Sequence, residues 1–150
     1  MTEVSMNKNM KLSEHFTLGE LTKTSYKTED QNIPSRVAIE NLKNLCENWL
    51  EALRQAQGPL IINSGYRSPE VNKKAGGSPT SNHLTGCAVD IRVAGFEQAI
   101  RYASILLDIS DGTKRDYDEL YIERNGAGRY WIHFAVRPKD NRRKVGFLQT

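Results

Sequence analysis

Three short runs of alternating apolar and polar residues constrain this chain most. In residues 88–93, Val89, Ile91 and Val93 share one parity, while Asp90 and Arg92 hold the other. In residues 120–123, Leu120 and Ile122 oppose Glu123; in residues 131–136, Ile132, Phe134 and Val136 oppose His133. A β-strand turns successive side chains to opposite faces. Pairing these runs in one sheet therefore makes one aliphatic face for helices to cover. Asp90, Glu123 and His133 gather on the other, open face. Residues 124–129 (RNGAGR) contain Asn-Gly and have turn composition, so the second and third runs form a hairpin. That hairpin brings Glu123 beside His133.

The helices that cover the sheet are also legible. Residues 35–57 follow Pro34 and end at Gly58-Pro59, with Val37, Leu42, Leu45, Trp49, Leu50 and Leu53 at helical spacing. Residues 96–109 place Phe96, Ala99, Ile100, Ala103 and Leu107 on one stripe. Residues 13–24 predict a short helix with Ser13 or Thr17 as N-cap. Leu60-Ile61-Ile62 predicts a short buried strand. Residues 66–86 are rich in Gly, Ser, Pro and Asn and predict a long ordered loop, a common place for function in a compact domain. Residues 1–10 predict a loose tail, and residues 137–150 a basic C-terminal segment. The expected fold class is α+β: a small antiparallel sheet with helices on one face and a cleft on the other.

Size and composition agree with one domain of 150 residues, 38% hydrophobic and 26% charged. The mean hydropathy of −0.60 and the lack of a long apolar run argue against membrane insertion. A polar N-terminus shows no secretory signal, which predicts cytoplasmic synthesis. The net charge of +3 is too small to indicate nucleic acid. Cys46 and Cys87 are far apart and form no CxxC pair, which excludes a disulfide framework or a Cys-rich metal site.

The densest chemistry lies in residues 81–90, with the pattern S-x-H-x-x-G-x-A-x-D. His83 sits in the loop and Asp90 on the strand that follows. Gly86 allows a close approach or an unusual backbone angle, and Ala88 leaves the open face uncluttered. Imidazole and carboxylate are both zinc ligands, and His133 supplies a third. Two histidines and a carboxylate leave a fourth position for water, as a catalytic zinc requires. Glu123 suits the general base beside it, and Arg67, in Ser64-Gly65-Tyr66-Arg67-Ser68, suits a carboxylate or a developing oxyanion. Asp118 and Glu119 are rival carboxylates for the base. Ser81, Tyr66 and Trp131 are candidates to line a substrate groove. Isolated, each of these side chains has an ordinary structural reading; together they point to one site.

The order S-G-Y-R-S, then S-x-H-x-x-G-x-A-x-D-I, then E…W-x-H resembles the zinc D-Ala-D-Ala carboxypeptidase and L-Ala-D-Glu endopeptidase family, whose fold is shared with the hedgehog signalling domain. The resemblance runs from about Leu12 to Val136. It implies one zinc ion held by His83, Asp90 and His133, Glu123 as the base, and Arg67 as the arginine that steadies a substrate carbonyl or carboxylate. It implies a peptidoglycan peptide as substrate; separately, the chain is expected to be a monomer. Trp131 stands where several relatives carry a second histidine, and the stretch from Glu123 to Trp131 is longer than in some of them. Two other functions remain open at this point: a zinc-stabilised binding module without turnover, and a structural part of a phage particle.

Overall fold

The computed structural model describes residues 6–150; the first five residues of the expected tail lie outside the described residues. Residues 6–10 are tied down: the Leu18 and Gly19 amides donate to the Met10 and Lys8 carbonyls, and Met6 packs against the core.

Helix α1 (Leu18–Leu21) is one turn long, with Thr17 as N-cap in a capping box with Glu20. The predicted helix over residues 35–57 is three consecutive segments: α2 (Arg36–Leu45), a π-helical turn (Cys46–Leu50) and α3 (Glu51–Gln57). Ser35 caps α2 by accepting from the Ala38 amide. The wider π turn helps keep Cys46, Trp49, Leu50 and Leu53 facing inward, and all four are fully buried. Trp49 sits at the centre, its ring 4.9 Å from Phe134 and 6.5 Å from Tyr117. Burying a side chain of this kind stabilises the fold by about 2 kcal/mol or more.

Strand β1 (Ile62–Ser64) begins two residues later than Leu60. Helix α4 (Pro69–Lys74) lies inside the region predicted to be loop. Ser68 is its N-cap and Pro69 its first residue, a start signal hidden by the surrounding glycines and serines. Strand β2 (Ala88–Arg92) leads to α5 (Phe96–Thr113). The buried line of α5 is Ala99, Tyr102, Leu106 and Ser110, so the predicted stripe is rotated: Phe96 and Ile100 are about half exposed, Phe96 packing on Tyr130 and Phe147.

Strands β3 (Glu119–Arg124) and β4 (Tyr130–Ala135) form the predicted hairpin. Its turn is closed by the Asn125 amide donating to the Arg129 carbonyl, with Gly128 at φ +82°. Strand β5 (Lys144–Gln149) has no counterpart in the sequence reading, because its charged, half-apolar pattern reads as surface. It pairs parallel with β3, so the sheet, ordered β1-β2-β4-β3-β5, is antiparallel except at this edge. The expected α+β architecture holds, with the helical core on one face and the polar face open. No helix among the described residues is long and apolar enough to cross a membrane.

Candidate metal centre and cleft

Register places the open-face residues side by side. Asp90 on β2 pairs with His133 on β4, His133 pairs with Tyr121 on β3, and Trp131 pairs with Glu123. His83 enters from a 3₁₀ turn (Asn82–Thr85) capped by Ser81, whose hydroxyl accepts from the His83 amide. Gly86 ends that turn at φ +73°, and a Cβ there would fall on the Ala38 carbonyl. The motif glycine thus serves both the angle and the close approach.

The geometry of His83, Asp90 and His133 assigns a role to each nitrogen. His83 Nδ1 donates to the Gly65 carbonyl at 2.6 Å, which leaves Nε2 facing Asp90 Oδ2 at 3.3 Å. His133 Nε2 meets Glu119 Oε1 at 3.0 Å, and Nδ1 meets Asp90 Oδ1 at 3.0 Å. One ligand atom from each of the three residues lies within 4.8 Å of the others. Both outer nitrogens are therefore held by oxygen acceptors while both inner nitrogens face one carboxylate. That is the arrangement that fixes imidazole tautomers around a metal. Two nitrogens and an oxygen at this spacing fit a zinc ion.

Burial works against the Asp90 charge, yet His83 and His133 outweigh it and hold the carboxyl well below the usual range. Burial likewise opposes charge on His133, but its contacts to Asp90 and Glu119 raise it to about 10 in the metal-free protein. Glu123 Oε2 lies 3.8 Å from His133 Nδ1, on the side of the inner nitrogens. Its burial pushes its pKa up, the direction that suits a proton acceptor working near neutrality.

The rival carboxylates resolve by position. Asp118 is fully buried and bound to Arg142 and Asn82, with no face toward the cluster. Glu119 contacts the outer nitrogen of His133 and also accepts from Asn82 at 2.8 Å. Its presence on the open face follows from parity with Glu123, the signal by which the sequence could have placed it. Asn82, which bridges Asp118 and Glu119 from the 3₁₀ turn, carries no such signal.

Arg67 Nε donates to Ser64 Oγ at 3.1 Å, and Nη2 donates to Asp90 Oδ2 at 3.3 Å. Arg67, Ser81, His83, Asp90, Glu123, Trp131 and His133 all line one open cleft, and Trp131 also borders two adjoining hollows. Tyr66 is a correction: it packs into the hydrophobic core at 7% exposure and does not line the cleft, because its neighbour Arg67 takes the outward position. Ser81 reaches the cleft while serving as a cap.

A model of the peptidase M15 family matches residues 14–115. The chain belongs to the peptidase M15 family. Over 125 residues it is 30% identical to the zinc D-Ala-D-Ala carboxypeptidase of Streptomyces albus G, covering 78% of this chain and 48% of that protein. The chain thus spans about half the length of that curated relative. Family membership and the donor set agree on zinc as the ion that fits this site. The family match ends before β3, so Glu119, Glu123 and His133 rest on the geometry above. The third candidate ligand, His133, lies on β4, whose register with β2 brings it to Asp90.

Proposed function

We propose that this chain is a zinc-dependent peptidase that hydrolyses a peptide bond in peptidoglycan stem peptides or cross-links, with D,D-carboxypeptidase or L-Ala-D-Glu endopeptidase specificity. The observation that carries the reading is the convergence of His83, Asp90 and His133, with Glu123 on their inner side and Arg67 beside them. His83 Nε2, His133 Nδ1 and an Asp90 oxygen would hold the metal. When bound, zinc supplies Lewis acidity toward an amide carbonyl and toward water. Glu123 takes the proton of the attacking water and delivers it to the departing amine, so that bond cleavage is proton-neutral overall. Arg67 offers the guanidinium edge not committed to Ser64 and Asp90 to a substrate carboxylate or to the developing oxyanion. Glu119 keeps a proton on His133 Nε2 and so orients the imidazole without touching the substrate. Trp131 forms a wall of the groove.

A wall substrate lies outside the cytoplasm, so the enzyme acts where it has been released to the wall.

Purified peptidoglycan digested with zinc-loaded protein and read by mass spectrometry tests this reading. Fragments released by the wild type and absent with Glu123→Ala are expected, and their masses name the bond. Zinc binding without any fragment from walls of several chemotypes would overturn the reading in favour of a non-catalytic binding module.

A further inference from the structure

The basic C-terminal segment is not a uniform solvated surface. Arg142 is bound by Nε and Nη2 to Asp118, with Glu119 at 3.3 Å. Arg143 is bound to Asp116 and Ser110 and lies over the Tyr117 ring. Arg137 differs from both. Its backbone is fixed twice by Asn141, whose Oδ1 accepts from the Arg137 amide and whose Nδ2 donates to the Arg137 carbonyl. Its Nε donates to Asn82 Oδ1 at 3.0 Å and lies 3.2 Å from Asp118 Oδ2. Neither Nη atom makes a hydrogen bond to any described residue, and the side chain, 32% exposed, lines the same cleft as the metal cluster.

A single chain of polar contacts runs through the site, from Arg67 to Asp90, His133, Glu119, Asn82 and Arg137. The two guanidiniums stand at its ends with the metal ligands between them. Arg67 is anchored by Nε and Nη2 and Arg137 by Nε alone, and both side chains line the cleft, where a guanidinium fork matches a carboxylate. With a divalent ion bound, the charges of Arg67, Arg137, Arg142 and the metal exceed those of Asp90, Asp118, Glu119 and Glu123 by one. The cleft therefore favours an anionic peptide.

We propose that Arg137 forms a second carboxylate subsite, at the opposite end of the cleft from Arg67, so that the preferred substrate is an acidic peptide with a carboxylate at each end of its bound segment. This rests on the peptidase reading above and names its substrate class more narrowly. Arg137 is a specificity residue: it holds the substrate and takes no part in bond cleavage.

The test is calorimetric binding to the zinc-loaded Glu123→Gln protein. The probes are the stem pentapeptide L-Ala-γ-D-Glu-L-Lys-D-Ala-D-Ala and the same peptide with the glutamate α-carboxylate converted to carboxamide. The acidic peptide is expected to bind at least about tenfold tighter, the worth of one charge-assisted pair. Arg137→Gln, added to that protein, should remove the difference and leave zinc content unchanged. Arg137→Lys, which keeps the charge and the contact to Asp118 while losing the fork, should retain part of it. Equal binding of the two peptides, no binding of either, or a preference that survives Arg137→Gln overturns the proposal. Should the glutamine variant not fold, the wild-type arginine background and the lysine variant still decide it. Preferential binding by Arg137 with no cleavage of the acidic peptide by wild-type protein would instead overturn the peptidase reading and leave the subsite standing.

Discussion

His133 Nε2 and Glu119 Oε1 lie 3.0 Å apart, and Glu119 in turn accepts from Asn82 at 2.8 Å and faces Arg142 at 3.3 Å. A candidate metal-ligand histidine is thus oriented by a carboxylate that is itself oriented from two sides. Burial opposes the Glu119 charge, but the His133 and Asn82 hydrogen bonds prevail and keep the carboxyl ionised. Replacing Glu119 by alanine should free the ring to rotate and to change tautomer. Zinc affinity, measured by chelator competition, should fall on the order of 10–100-fold. Glu119→Gln, which keeps an acceptor, should lose less. Unchanged affinity in the alanine variant would mean that the His133 ring is held by packing alone, for instance by Tyr121, stacked 5.7 Å away.

Zinc uptake should release a proton. In the metal-free protein burial resists charge on His133, yet Asp90 and Glu119 hold it protonated, its pKa raised to about 10. Metal binding needs Nδ1 without its proton, while Nε2 keeps its own for Glu119. Near pH 7, close to one proton should therefore leave per zinc bound, and affinity should rise with pH until that proton is lost before binding. Calorimetry in buffers of different ionisation enthalpy counts the proton directly. Zinc binding with no buffer dependence would contradict this picture of the site.

Asp118 should matter to stability and not to chemistry. Its burial disfavours charge, but hydrogen bonds from Arg142 and Asn82 and the nearby Arg137 hold its pKa down to about 2, from 3.8. A carboxyl with a lowered folded-state pKa contributes stability above its unfolded pKa and loses it as pH falls through the folded value. Asp118→Asn should cost on the order of 2 kcal/mol at pH 7. The gap from wild type in urea melts should be constant from pH 7 to about 4 and close between about 4 and 2. A gap independent of pH down to 2 would show that the lost contacts, not the charge, carry the effect.

Much of this site was legible because a strand has only two faces. Parity alone put Asp90, Glu123 and His133 together, and register in the structure confirms their shared face. The Asn-Gly turn predicted the hairpin, and the two uses open for the glycine of the histidine motif, a close approach or an unusual backbone angle, both occur at Gly86. The parts that escaped depend on long-range pairing. Strand β5 is edge and half-exposed, so its own pattern says little, and only pairing with β3 makes it a strand. Asn82 and Arg137 meet across 55 residues of chain, a contact that no local spacing encodes. Tyr66 failed for a simple reason: in an irregular loop, sequence adjacency to Arg67 does not say which way a ring turns. Asp118 and Glu119 were indistinguishable as isolated carboxylates; Asp118 precedes β3 and is fully buried against Arg142, whereas Glu119 opens β3 and reaches His133.

Metal dependence of peptide-bond cleavage tests the account most directly. Protein stripped by a strong chelator and dialysed should release no fragments from peptidoglycan, and one equivalent of zinc should restore release. Asp90→Asn, stripped and given the same zinc, should stay silent, since it removes the carboxylate that both histidines face. Fragment release that persists in the stripped protein, or full restoration by zinc in Asp90→Asn, would contradict a catalytic centre built on His83, Asp90 and His133.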